Sequence, residues 1–213
     1  MTRAKLSREE HRIADGLAEH GLYFDRDFML EDGNADLFFL YYFPREFYSS
    51  VLERPHFEDM NYRIISVLED SRRHVIQLPG QHGKSTQIRV WIIYVLCREP
   101  NISIMYVEKS EPKAQSAART IMGMLTTNAR LIEDFGSFRG DSWSAQQFTI
   151  RQRLEQISYP SLAVYGAGSK GTLGSRANIM IVDDPVTEEH AVSELERVRL
   201  WDWWSQAATT VPT

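Results

Sequence analysis

The segment Leu78-Pro79-Gly80-Gln81-His82-Gly83-Lys84-Ser85-Thr86 constrains this chain more than any other. It lies between two apolar runs, His74 to Leu78 and Ile88 to Cys97. Their lengths and compositions predict a strand before the segment and a helix after it. Strand, glycine-containing loop and helix form the context of a phosphate-binding loop, G-x-x-x-x-G-K-[ST]. Leu78 stands where the first glycine of that pattern falls. The other positions fit the chemistry. Gly80, Gln81 and His82 complete the loop, His82 through its backbone N–H. Gly83 lets the main chain approach a phosphate without a Cβ in the way. Lys84 supplies a point charge for β- and γ-phosphates, Ser85 a hydroxyl for Mg2+, and Thr86 continues the first helical turn, whose N–H groups point at the anion. A surface turn containing Gly-Lys-Ser is the competing reading, so a second motif has to decide.

That second motif is Ile179-Met180-Ile181-Val182-Asp183-Asp184-Pro185. A buried hydrophobic strand delivers carboxylates at its C-terminal end, the edge where open α/β sheets bind ligands. Asp183 is placed to hold Mg2+. Asp184 points to the other side and is placed to orient, or take a proton from, the water that attacks a γ-phosphate. Asp-Asp-Pro also suits a plain turn.

Composition narrows the classes. The 213 residues, 43% of them apolar, suffice for one large domain or one domain with an appendage. No apolar run reaches the 18 residues of a membrane span. The first ten residues alternate charges and lack the apolar core of a secretory signal. Cys97 is the single cysteine, which excludes an internal disulfide and a cysteine-based zinc site, and a small core residue is its expected role. These features suit the cytoplasm. A net charge of −5 argues against a wide basic face clamped on nucleic acid, though not against brief contact through a few loops.

Along the chain, Ser7 and Glu10 form a capping box that opens a helix over about 8–20. Residues 25–34 read as loop, and 35–43 are very apolar up to Pro44. Met60, Ile64, Ile65, Val67 and Leu68 predict a helix over 57–69, so 1–70 form a helical prelude. From 71 on, elements alternate. Strands are expected at 74–78, 102–107, 148–150, 162–165 and 179–182. Helices are expected at 89–98, 111–126, 129–135 and, in one piece, 188–208. Four glycines between Gly166 and Gly174 mark a loop. The pattern predicts an α/β domain over 71–213 with a mostly parallel sheet covered by helices.

Four segments together resemble the ATPase domain of the large terminase subunit of tailed bacteriophages. They are Leu78 to Thr86, Ile102 to Ser110, Gly174 to Val186 with its Asp-Asp-Pro-Val, and Ser193-Glu194-Leu195-Glu196-Arg197 followed by Trp201-Asp202-Trp203-Trp204. The resemblance covers about residues 40–213. It implies a RecA-like P-loop ATPase core of the added-strand, catalytic-carboxylate type. The implied motor uses ATP and Mg2+ to drive double-stranded DNA into a procapsid. Its partners would be a portal protein, a small terminase subunit and further copies of itself in a ring on the portal, with a monomer expected in isolation. The implied setting is the host cytoplasm. Carried over by residue, Lys84 and Ser85 are the phosphate and Mg2+ ligands, Asp183 the magnesium carboxylate and Asp184 the catalytic one. The family also uses an arginine finger from a neighbouring subunit. Arg176 is the first candidate, Lys170 and Arg139 lesser ones, and a plain surface arginine is the alternative. Relatives often carry arginine where Gly80 stands and glutamate where Asp184 stands. The family's later core strands and nuclease domain would lie beyond Thr213, so no nuclease activity is expected of these residues.

Tyr41-Tyr42-Phe43-Pro44-Arg45-Glu46-Phe47 matches the region before the loop where relatives bind adenine, but packing is the favoured reading of its aromatics. Packing is likewise favoured for Trp201, Trp203 and Trp204, and a solvated face for Arg72, Arg73, Arg151 and Arg153. Two other functions stay open: a helicase-like DNA-dependent ATPase, and a nucleotide-binding assembly module with little or no hydrolysis.

Overall fold

A computed structural model describes residues 26–31, 34–44, 46, 58–70, 73–78, 83–155 and 157–211. The helix expected over 8–20 and loop positions 79–82 lie outside them, as do Arg45, Phe47, Arg72 and the C-terminal 212–213. In chain order the elements are α1 (Arg26–Met29), α2 (Ala35–Tyr42), α3 (Glu58–Glu69), α4 (Lys84–Arg98), β1 (Ile104–Glu108), α5 (Glu111–Thr127), α6 (Ala129–Phe135), β2 (Arg139–Trp143), β3 (Gln147–Ile150), β4 (Leu162–Gly166), α7 (Gly171–Gly174), β5 (Ile179–Asp183), α8 (Glu188–Val192) and α9 (Glu194–Ala207), closed by a 3-10 turn at Ala208–Thr210. They fall into two compact units. One runs to Arg98 and adds Asn128–Gly136; the other comprises Glu99–Thr127 and Ser137–Thr213.

The first unit is helical. α4 is apolar on nearly every side, and residues 90–97 are all buried, as such a helix must be. Its Tyr94 ring meets Phe38 of α2 edge-on at 5.3 Å, and its hydroxyl donates to the Glu31 carbonyl at 3.2 Å. The Asn128 side chain caps α6 by accepting from the N–H groups of Arg130 and Leu131. Its amide also donates to the Tyr42 carbonyl at 2.6 Å, while the Tyr42 hydroxyl donates to Asp134 at 2.7 Å. Tyr42 and Phe43 are buried in the core, as the packing reading has it, while Tyr41 is half-buried with the Arg130 guanidinium over its ring.

The second unit is a five-stranded sheet in the order β2-β3-β4-β1-β5. β1 pairs in parallel with β4 and β5, and β2-β3-β4 are antiparallel. The domain is therefore α/β with a mixed sheet flanked by helices, less parallel than the alternation predicts. β2 was not expected. Its sequence Arg-Gly-Asp-Ser-Trp is polar because it is an exposed edge strand, without an apolar face to betray it. Trp203 and Ala207 of α9 pack against Met105 and Val107 of β1, with Met180 and Val182 of β5 beside them. Tyr106 and Ile181, one residue out of phase, face the other side.

Three further expectations change. Residues 73–78 form no strand: the segment is irregular and Val75 is 96% exposed. Only Val75, Ile76 and Leu78 are apolar there, and a strand exists only where a neighbour completes its ladder. The long C-terminal helix is two, because Ser193 takes an extended backbone and its side chain accepts from the Glu196 N–H, opening α9 afresh. Arg153 is not on a solvated face. Its half-buried guanidinium donates to the carbonyls of Asn101, Ile102 and Tyr159 and to Ser103, stapling the loops before β1 and β4.

Candidate functional site

Of the candidate phosphate-loop residues the structure describes those from Gly83 on, and the φ of 75° at Gly83 is the left-handed conformation that glycine adopts without strain. Its carbonyl accepts from the Gln87 N–H at 3.0 Å, which makes Gly83 the residue that opens α4. Lys84, Ser85 and Thr86 form the first turn and are half-buried. Their backbone N–H groups sit where an α-helix offers no acceptor of its own, in a helix of 15 residues. Gly80, Gln81 and His82 lie outside the described residues.

A pair of carboxylates is built by β1 and β5. Their sequences are near twins, Ile-Met-Tyr-Val-Glu and Ile-Met-Ile-Val-Asp. They lie side by side in parallel and in register, so Ile104 pairs with Ile179, Met105 with Met180, Val107 with Val182 and Glu108 with Asp183. Two carboxylates thus end adjacent strands at the carboxyl edge of the sheet. Both are buried, Glu108 at 9% exposure and Asp183 at 2%. The Tyr106 hydroxyl lies between them, 2.9 Å from Asp183 Oδ2 and 3.4 Å from Glu108 Oε1. Neighbouring buried like charges raise each other's energy, and a cation at this edge lowers it.

Sequence reasoning missed Glu108 and Tyr106. The signal was there: an apolar run closed by a carboxylate, repeated almost letter for letter at 179–183. The edge is also tight. A Cβ on Gly166, which ends β4, would stand 2.6 Å from the Glu111 nitrogen, so only glycine lets β4 pass the start of α5 this closely.

Asp184 follows at φ 51°, the one non-glycine residue with positive φ among the described residues. It is exposed, while Asp183 is buried. The two neighbours therefore present carboxylates to different surroundings, as their alternation predicts. A left-handed aspartate at a strand end is the kind of outlier that accumulates at functional sites.

The basic candidates are dispersed. Lys170 is exposed on the loop that leaves the carboxyl end of β4. That loop is tied down: Trp203 Nε1 donates to Thr172 Oγ1 at 2.8 Å, and the Tyr165 hydroxyl meets Ser175 Oγ at 2.6 Å. Arg176 is exposed and precedes β5 at its amino end, so the length of the strand separates it from Asp183. Arg139 is exposed on the edge strand β2, level with Ile150 and away from the carboxyl ends of β1 and β5. Within one chain, then, neither arginine stands beside the carboxylates.

No family model matches the chain, and no curated protein matches it. The donor chemistry speaks independently. β1 and β5 end in carboxylate oxygens, and α4, in the other unit, opens with the Ser85 hydroxyl; each is a hard oxygen donor of the kind Mg2+ takes. No three His, Cys, Asp or Glu side chains gather into a metal cage among the described residues. Mg2+ needs none, since it keeps waters and takes substrate phosphates beside one or two carboxylates.

Proposed function

We propose that this chain is the ATP-hydrolysing motor domain of a viral terminase large subunit, a RecA-like P-loop ATPase whose turnover drives double-stranded DNA into a procapsid. The observation that carries the reading is the end of β5: a carboxylate buried at the carboxyl edge of a parallel strand, followed at once by an exposed aspartate in the left-handed conformation. The opening of α4 at Gly83-Lys84-Ser85 supports it with a first turn suited to phosphate.

In this reading the N–H groups of the first turn of α4 and the Lys84 ammonium hold the β- and γ-phosphates. Ser85 and Asp183 hold Mg2+, which neutralises charge on the transferring phosphoryl group when bound. Asp184, at the solvent side, orients the attacking water and receives its proton. An arginine finger belongs to a neighbouring subunit in a ring on the portal. Arg176, distant from Asp183 in its own chain, suits a role in trans.

ATP turnover by the purified protein tests this. Wild type hydrolyses ATP, and Lys84→Ala and Asp184→Asn do not; equal turnover by wild type and Lys84→Ala sinks the site assignment. Stimulation by double-stranded DNA together with portal-bearing empty capsids separates packaging from helicase work. A second reading, a nucleotide-binding assembly module, draws on the irregular, exposed segment 73–78 before the loop. It predicts nucleotide binding without turnover.

A further inference from the structure

We propose that Tyr106 is the positioning residue of the magnesium carboxylate: its hydroxyl fixes the rotation of the Asp183 side chain and thereby sets how readily the site takes Mg2+. The inference rests on the nucleotide-binding reading above and adds a residue to it. Tyr106 is 0% exposed in the middle of β1, an interior strand between β4 and β5, so its ring is held by packing on every side. The hydroxyl donates to Asp183 Oδ2 at 2.9 Å. A phenol carries one hydrogen, and the second carboxylate, Glu108 Oε1, is farther off at 3.4 Å. The shorter contact takes the hydrogen, so Tyr106 engages one chosen oxygen of Asp183, Oδ2.

The in-register pairing of β1 with β5 makes this possible. Tyr106 stands level with Ile181, two residues before the strand end, and its long side chain reaches forward to the carboxylates at Glu108 and Asp183. Isoleucine at the matching position of β5 carries no such donor. Tyr106 is therefore the one difference of chemical type between the twin strands, and it is the one that touches both acids. Partners that orient a ligating carboxylate are worth about 10–100-fold in metal affinity.

The test uses the full chain, a fluorescent ATP analogue and Mg2+ titrations. Wild type binds the analogue weakly in EDTA and more tightly as Mg2+ is added. Tyr106→Phe is expected to bind as wild type in EDTA but to need roughly 10–100-fold more Mg2+ for the same gain. In an Asp183→Asn background the same change should shift nothing further. Replacing Tyr106 by 4-fluorophenylalanine fills the volume of the hydroxyl without its hydrogen and should raise the Mg2+ requirement by the same roughly 10–100-fold. It serves as the deciding variant if Tyr106→Phe does not fold. A wild-type Mg2+ requirement in either variant overturns the inference while leaving the nucleotide site standing. A wild-type protein that binds no nucleotide overturns the site reading itself.

Discussion

Asp184 allows backbone geometry and carboxylate chemistry to be separated at one position. At φ 51° its Cβ crowds the following carbonyl, a conformation that costs an ordinary L-residue roughly 1–2 kcal/mol and that aspartate and asparagine tolerate better than most. Asp184→Asn therefore keeps the backbone and removes only the charge, and its stability should stay within about 0.5 kcal/mol of wild type. Asp184→Ala loses the local tolerance and should cost about 1 kcal/mol, or roughly 2–4 °C in melting temperature for a chain of this size. Asp184→Gly takes the conformation without steric penalty and should melt at or above the alanine variant by about that margin. ATP turnover should behave differently. If the carboxylate orients water, all three variants lose about 10²–10⁴-fold, whatever their stability. Thermal melting and steady-state phosphate release on the same preparations give both numbers. Asparagine turning over within a few-fold of wild type would refute the catalytic role. Alanine as stable as glycine would refute the strained strand end.

Three other outcomes follow from the structure. Burial pushes the Cys97 thiol well above its ordinary range, so the native protein should resist an aromatic disulfide reagent at pH 8 and react only on denaturation. Burial also raises the Asp36 carboxyl, so its ionisation weakens the fold as pH rises through the raised value; Asp36→Asn should melt higher than wild type at pH 7 and lose that advantage as pH falls to the ordinary aspartate range. Gly166→Ala drives a methyl to 2.6 Å from the Glu111 nitrogen and should cost about 1–3 kcal/mol, seen as a lower melting temperature.

The buried elements were legible in the sequence because their residues carry their own environment. The run from Ile88 to Cys97 is apolar except at Arg89 and forms a helix buried on nearly all sides. The two runs that end in Glu108 and Asp183 are continuous hydrophobic stretches; β1 is buried throughout, while β5, at the sheet edge, is half-buried up to its buried Asp183. What escaped has no such mark. β2 is polar because nothing covers it, and the break at Ser193 depends on a single hydroxyl choosing a backbone N–H over solvent. Residues 73–78 failed in the opposite direction, since three apolar side chains promise a strand but cannot supply its partner. At the site, Asp183 was readable from its strand. Tyr106 was not, because its function arises from register, and register between β1 and β5 is written in neither strand alone.

The likeness of those two strands also bears on how the chain finds its fold. β1 lies inside the sheet between β4 and β5, and β5 at its edge, yet four of their five positions carry the same or equivalent residues. An exchanged order, with β5 against β4, would satisfy nearly the same faces. The two orders differ in chemistry where Ile181 would replace Tyr106 inside the sheet and the phenol would move to the edge strand, so of the ten residues in these strands Tyr106 is the one whose side chain marks the native order.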